Sequence, residues 1–468
     1  MIQKIKTIAS VSLLAITFCG AAEKPNILFI FADDMAPNTI HALGNQEIVT
    51  PNLDQLSETS TVFTHAYNSG SWSGAVCVAS RTMLQTGRQL WNAKVDSKHL
   101  QSKYVGQKKL WPQLMESQGY ETYFAGKWHV GSNQLAKQAF NHTSNIRPGM
   151  PHPADRTGYN RPKSKDDHGW KPWDKKNGGF WKGGTHWSEV LAADGIKFLN
   201  QAAKSDKPFF MMLAFNAPHD PRQAPKEFVD QYPYEKIKVP KSFLPEYPYE
   251  VCNNRKLRDE VLAPFPRTHY AVQVNRAEYY ALITHMDVQI GRILDALKKS
   301  GKADNTIVIF SADHGLSCGN HGLMGKQNMF DHSVRVPWMI AGPGIPKQKK
   351  ISDPIYLQDA MATALDLGGV EKPAHVEFDS VLPYINGQGK KRDVIYGSYL
   401  DKQRMVRTEK YKLIRYPKLG VDLLFDMEND PEEITDLAKD KKHAATLKKM
   451  QALMQKQMEI MGDPLAGK

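Results

Sequence analysis

Three polar clusters in this 468-residue chain carry the residue types needed for hydrolysis at an anionic centre. Asp33, Asp34 and Asp313 offer hard carboxylate oxygens, and His314 adds an imidazole. Such an oxygen-rich set suits Ca2+ or Mg2+ better than Zn2+. His219 forms the third cluster. Lys127 and His129 stand at i and i+2. On an extended segment such residues point the same way, so both can face one pocket. Cys77 precedes a predicted helix, with Arg81 four residues on. Free N–H groups at a helix start favour an anion there.

The elements that must position these residues are legible. Residues 26–31 are a continuous apolar run ending in Ala32-Asp33-Asp34, the pattern of a buried parallel strand with polar residues at its carboxyl end. Residues 110–117 predict a helix stopped by Gly119, and 120–124 a strand. Residues 187–203 predict a helix and 208–215 the next strand. Ile283, Met286, Ile290, Ile293 and Leu297 recur at spacings of three and four, so 276–300 predicts a long amphipathic helix. Gly301 caps it, and 305–310 is the following strand. Alternating strands and helices imply an α/β fold with a large, mostly parallel sheet sandwiched by helices. In such folds ligands gather at the carboxyl ends of strands. Asp33-Asp34, His219 and Asp313-His314 all occupy that position.

Residues 140–184 and 231–268 read as long irregular excursions, which in compact domains are often functional. The first holds His168, Trp170, Trp173 and Trp181, and His186 and Trp187 lie beside it. The tryptophans read first as loop anchors. His186 is equally a packing residue or a sugar contact. From about residue 370 the pattern changes to short strands at 394–399, 405–408, 411–416 and 423–426, then a helix at 444–460. A smaller antiparallel α+β subdomain over 371–468 is expected after a main domain over 23–370.

The N-terminus reads as a signal peptide over 1–22, with Lys4 and Lys6, an apolar run at 11–18, and small residues at Gly20-Ala21-Ala22. The expected location is therefore periplasmic or secreted. Cys19 offers a lipoprotein alternative, but Phe18 fits poorly the small residue that route needs. No segment is long and apolar enough for a transmembrane span. Of the four cysteines, Cys252 and Cys318 are left over, and their spacing decides nothing about pairing. The net charge of +12 favours an anionic partner. No nucleic-acid motif or dense arginine run is present, so a polyanionic glycan suits an exported chain better.

The motifs now combine. Cys77-Val-Ala-Ser-Arg81, followed by Thr86-Gly87, resembles the maturation motif of type I, formylglycine-dependent sulfatases, in the alkaline-phosphatase-like superfamily. Lys24-Pro-Asn-Ile-Leu-Phe-Ile-Phe-Ala-Asp-Asp34, Gly119-Tyr-Glu-Thr-Tyr-Phe-Ala-Gly-Lys-Trp-His129, Phe215-Asn-Ala-Pro-His219, Ser311-Ala-Asp-His-Gly315 and His321-Gly-Leu-Met-Gly-Lys326 resemble further family blocks in order. Asp422-Leu-Leu-Phe-Asp-Met-Glu-Asn-Asp-Pro431 is similar to the family's C-terminal ending.

The resemblance implies a bacterial sulfatase that degrades a sulfated polysaccharide or glycan. It implies that Cys77 is oxidised to formylglycine by a formylglycine-generating or anaerobic sulfatase-maturating enzyme. The hydrated aldehyde would attack the sulfate ester and form a covalent sulfo-enzyme. It also implies a Ca2+ ion, with Mg2+ as the alternative, on Asp33, Asp34, Asp313, His314 and residue 77. His314 departs from the asparagine often found there. Arg81 would hold the hydrated aldehyde, Lys127 and Lys326 the sulfate, and His129 would act as base. His219 would be the general acid on the leaving alcohol. Two alternatives remain: a phosphonate monoester or phosphodiester hydrolase of the same superfamily, and a non-catalytic sulfated-glycan-binding protein.

Overall fold

A computed structural model describes residues 24–152, 162, 164–167, 169–250 and 255–467. The leader over 1–22 with Cys19, and also His168 and Cys252, lie outside the described residues. Eight strands form the main sheet. From edge to edge they are Lys349–Ile351, Ser60–Phe63, Trp338–Ala341, Thr306–Ala312, Asn26–Ala32, Phe209–Ala214, Glu121–Lys127 and His142–Arg147. Trp338–Ala341 runs antiparallel to both of its neighbours, and the other pairings are parallel. The expected α/β class with a mostly parallel sheet is therefore found.

Asn26–Ala32 is central and wholly buried, which explains its unbroken apolar sequence. Its side chains alternate between two covered faces. On one, Phe29 and Phe210 meet Trp111 at ring separations of 5.2 and 4.8 Å. On the other, Tyr123 meets Phe198 of the helix Trp187–Ala202 at 5.3 Å. The helix His269–Lys299 packs beside Trp187–Ala202. It starts seven residues before the expected 276, because Thr268 caps it by accepting a hydrogen bond from Ala271 N. The sequence reading relied on apolar spacing, and the cap precedes the regular part of that stripe.

Register fixes where the strands end. Ala32 pairs with Ala312, Phe31 with Ala214, and Gly126 with that same Ala214. The residues that follow these strands therefore emerge at one sheet edge. The excursion over 140–184 is not wholly irregular, since His142–Arg147 is the outer strand of the sheet.

The C-terminal region forms a second sheet of Val421–Asp426, Tyr411–Tyr416, Gln403–Arg407 and Ile395–Tyr399, all antiparallel. Gly70–Ser71 adds a short parallel strand at its edge, so this sheet takes in a piece of chain far upstream. Met450, Met454 and Met458 on the helix Ala444–Ile460 cover one face with Tyr396, Val406, Leu413 and Leu424.

A buried ion cluster ties this sheet to the short helix Asp331–Val334, which precedes the main-sheet strand Trp338–Ala341. Lys412 Nζ lies 2.8 Å from Asp331 Oδ1 and 2.7 Å from Glu433 Oε1, with no solvent exposure of the lysine side chain. Asp331 N donates to Glu433 Oε2 at 2.6 Å. Removing one member of a buried charge set strands the others. We therefore expect Lys412→Met to lower stability by about 3–5 kcal/mol, read as a fall in the denaturant midpoint. An unchanged midpoint would show that the cluster contributes nothing net.

Candidate active site

The sheet edge gathers the polar clusters because each follows its strand directly. Asp33 and Asp34 follow Ala32, Asp313 and His314 follow Ala312, and Lys127 ends its own strand. Asp34 has φ +66°, and His129 has φ +57°. Both are left-handed conformations that non-glycine residues seldom adopt, and such strain persists only where the surroundings enforce it. At Asp34 the turn is fixed by its own N–H, which donates to Asp313 Oδ1 at 3.2 Å, and by its carbonyl, which accepts from Tyr279 Oη at 2.6 Å.

Cys77 lies in the first turn of the helix Val76–Thr86, one residue inside it. Its Sγ is 3.4 Å from Asp33 Oδ1, 3.3 Å from His314 Nε2 and 3.5 Å from Lys326 Nζ. Burial alone would raise the thiol pKa. Lys127, Lys326 and His314 outweigh it and hold the group well below the usual thiol range. Arg81, one turn further on, donates from Nε to Asp313 Oδ2 at 3.0 Å and from Nη1 to Lys127 O at 2.7 Å. Its Nη2 has no hydrogen-bond partner among the described residues and lies 3.8 Å from Asp33 Oδ1.

The carboxylates are crowded. Ligand atoms of Asp33, Asp34, Cys77, Asp313 and His314 all lie within 4.8 Å of one another, and every one of these residues is buried. Burial, then the Asp313 charge, pushes Asp33 well above the carboxylate range. Asp313 is held down to about 2: burial and Cys77 oppose its ionisation, but His314 and Arg81 prevail. Burial would lower His314, yet Asp313 and Asp34 bring it to about 9. Lys127 Nζ binds Asp33 Oδ2, and Lys326 Nζ spans Asp34 at 2.8 and 2.7 Å.

This donor set fits a hard divalent cation. It combines three carboxylates with an imidazole whose Nδ1 contacts Gly315 O at 2.8 Å, which leaves Nε2 facing the cluster. A cation there would relieve the mutual repulsion that drives Asp33 towards protonation.

His219 Nε2 lies 3.7 Å from Asp34 Oδ2, and Nδ1 is 2.7 Å from Asp220 O. His129 is half-buried, and burial lowers its pKa, an effect partly offset by Cys77. Ten of the eleven candidate site residues singled out in the sequence are thus brought to one edge of the sheet. The exception is His186. It is fully buried as the N-cap of Trp187–Ala202, with Nδ1 accepting from Ser188 N at 3.2 Å and Nε2 3.0 Å from Gln223 O. Both ring nitrogens are committed, so the capping role replaces the sugar-contact reading. Trp170, Trp181 and Trp187 are buried, in keeping with loop anchoring.

The structure adds residues that the sequence did not single out. Asp220 joins Asp34 and His219 in a second buried cluster. Asp259 lies 4.0 Å from Lys326 Nζ, and Arg258 pairs with both Asp220 and Asp259. Asp220 adjoins His219 and was within reach of a sequence argument. Asp259 falls in the excursion over 231–268, where no periodicity announces it.

Comparison with known proteins agrees with this geometry. A family model described as sulfatase matches residues 25–370, and one described as N-sulphoglucosamine sulphohydrolase, C-terminal, matches 319–460. An arylsulfatase of Clostridium perfringens is 28% identical, over 93% of this chain and 95% of its own length. Among solved structures, one in complex with its substrate D-glucosamine-2-N,6-O-disulfate is 21% identical, with TM-score 0.75, covering 95% of this chain and 99% of its own. A phosphonate monoester hydrolase of Agrobacterium radiobacter is 22% identical, with TM-score 0.73, covering 93% and 96%. At these identities the two structures bear on the fold alone.

The close contact between Gly149 and the His129 ring yields a prediction. A methyl group at position 149 would run into that ring, and the ring can move where backbone could not. Gly149→Ala should therefore displace His129 with little effect on stability. If His129 moves a proton in turnover, kcat should fall by at least about tenfold, since small misplacements of reacting groups are costly. Unchanged kcat with a displaced ring would remove His129 from the chemistry.

Proposed function

The chain belongs to the sulfatase family and is a sulfuric ester hydrolase; on that basis we propose that it cleaves sulfate esters of a sulfated carbohydrate, using residue 77 oxidised to formylglycine. The observation that carries this reading is the convergence on Cys77 Sγ of Asp33, His314 and Lys326, all at 3.3–3.5 Å. In this structure that sulfur stands in for an oxygen of the formylglycine hydrate that the mature enzyme would carry. Such a hydrate supplies a hydroxyl to take the sulfuryl group and a second whose deprotonation expels sulfate. Asp33, Asp34, Asp313 and His314, with residue 77, would hold Ca2+, or Mg2+ in its place. When bound, the cation supplies positive charge to the sulfate oxygens.

The remaining steps belong to side chains. Lys127 and Lys326 turn from their carboxylates to the sulfate oxygens. Arg81 fixes Asp313 and orients residue 77. His129, kept neutral by burial, accepts the proton from residue 77. His219, steadied through Nδ1 by Asp220 O, presents Nε2 to the bridging oxygen of the leaving sugar. Substrate contacts are assigned to Lys127, His219 and Lys326. The N-terminal leader supports export, and among the described residues no helix is long and apolar enough to cross a membrane. The proposed division is a catalytic domain over 23–370 and a C-terminal subdomain over 371–468. Residues Gly70–Ser71 of the former complete a sheet of the latter.

Three measurements test the proposal. Peptide mapping of active protein should find residue 77 about 18 Da lighter than cysteine, the thiol having become an aldehyde. That protein should turn over an aryl sulfate faster than an aryl phosphate. Full activity with an unmodified Cys77 would sink the nucleophile assignment. A preference for phosphate or phosphonate would favour the reading suggested by the Agrobacterium likeness.

Chelation should remove activity and lower the melting temperature, and Ca2+ or Mg2+ should restore both. Stoichiometric Zn2+ with no hard cation would contradict the donor-set argument.

His219→Ala should harm a sugar sulfate about 10²–10⁴-fold more than an activated aryl sulfate, because only the sugar alkoxide needs a proton to leave. Lys127→Ala should harm both. Equal losses for His219→Ala, read as kcat/KM on the two substrates, would make His219 a sulfate-positioning group instead.

A further inference from the structure

Arg222 is a buried cation that forms no ion pair among the described residues. It lies in the turn after Phe209–Ala214, three residues past His219, and is only 4% exposed. Its Nη1 donates to Asn275 Oδ1, and its guanidinium carbon sits 5.7 Å from the Tyr279 ring centroid. Nε and Nη2 are buried with no hydrogen-bond partner, and among the described residues no ion pair joins Arg222 to a carboxylate. The nearest acid in sequence, Asp220, feels the Arg222 charge but pairs directly with Arg258 and His219 instead. An isolated buried charge is expensive, and native structures keep one only where something compensates it.

The two unused nitrogens are not a random pair. Nε–H and Nη2–H lie on one edge of the guanidinium and form the fork that binds two oxygens of a carboxylate or sulfate side by side. The residue's neighbours belong to the site. Tyr279, against which Arg222 packs, hydrogen-bonds Asp34 O at 2.6 Å and Ala36 N at 3.1 Å. Asp220, two residues before Arg222, clusters with His219 and Asp34.

Resting on the sugar-sulfatase reading above, we propose that Arg222 is a specificity residue that binds a second anionic group on the substrate, beyond the sulfate ester being cleaved. The preferred substrates are then sugars with two negative charges, the second being a uronate carboxylate or another sulfate. Either presents the paired anionic oxygens that the free edge of Arg222 lacks.

The test compares a monosulfated neutral sugar, a sulfated uronic acid and a disulfated sugar. Wild-type kcat/KM should favour at least one doubly anionic substrate about tenfold or more. Arg222→Gln should shrink that preference about 10–100-fold, mainly through KM, and Arg222→Lys should recover part of it. Collapse confined to the uronic acid identifies a carboxylate, and collapse confined to the disulfated sugar a sulfate. A wild type with no such preference, or a preference unmoved in both variants, overturns the proposal. If no sulfate ester is hydrolysed, the sugar-sulfatase reading fails by itself. Calorimetric binding of the uronic acid and of the disulfated sugar to wild type and Arg222→Lys then decides on Arg222: weaker binding in the variant supports it, and equal binding refutes it.

Discussion

Three carboxylates share one desolvated pocket, and the rest of the site follows from the repulsion between them there. Asp33, Asp34 and Asp313 are all at most 1% exposed. Left alone they would take up protons or force the pocket open. Arg81, Lys127, Lys326 and His314 supply the compensating positive charge, each from a different segment of the chain. That dependence explains why so many buried charges occur together. The compensation is incomplete at Asp33, which burial and the Asp313 charge still hold well above the carboxylate range.

The charge balance also prepares the site for an anion. A lysine held by a carboxylate can turn to a sulfate oxygen at little cost if a metal ion takes over that carboxylate. The desolvation has already been borne in folding and need not be repeated on binding. The parallel register does the positioning. With Ala32 opposite Ala312 and Phe31 opposite Ala214, residues far apart in sequence reach the same edge without any long loop having to order itself.

This division explains what the sequence could reveal. The central strands, the helix after Gly184 and the acidic residues beyond strand ends were legible because each is a local pattern with one physical meaning. Lys127 and His129 were legible as a pair. The strand His142–Arg147 was not, since its edge position leaves it half-exposed and without the apolar run of a central strand. For His186 packing and a sugar contact stayed equally open in the sequence, because its capping partner, Ser188 N, is a backbone group that composition cannot announce. Gly70–Ser71 was invisible as a strand, being two small residues paired with chain more than three hundred positions later.

The same reasoning separates Arg222 from the other buried cations. Arg81, Lys127 and Lys326 are each paired within the fold, so their burial is accounted for by the protein alone. Arg267, buried elsewhere, is likewise answered by Glu260 at 2.7 Å. Arg222 has an amide oxygen, an aromatic ring and only the unpaired influence of Asp220, which Arg258 and His219 hold directly, and this is weaker compensation than an ion pair. A merely structural arginine is readily replaced by an apolar residue of similar volume. An arginine whose compensating charge comes from outside the chain has a reason to remain, and its free edge then records the chemistry of what it meets.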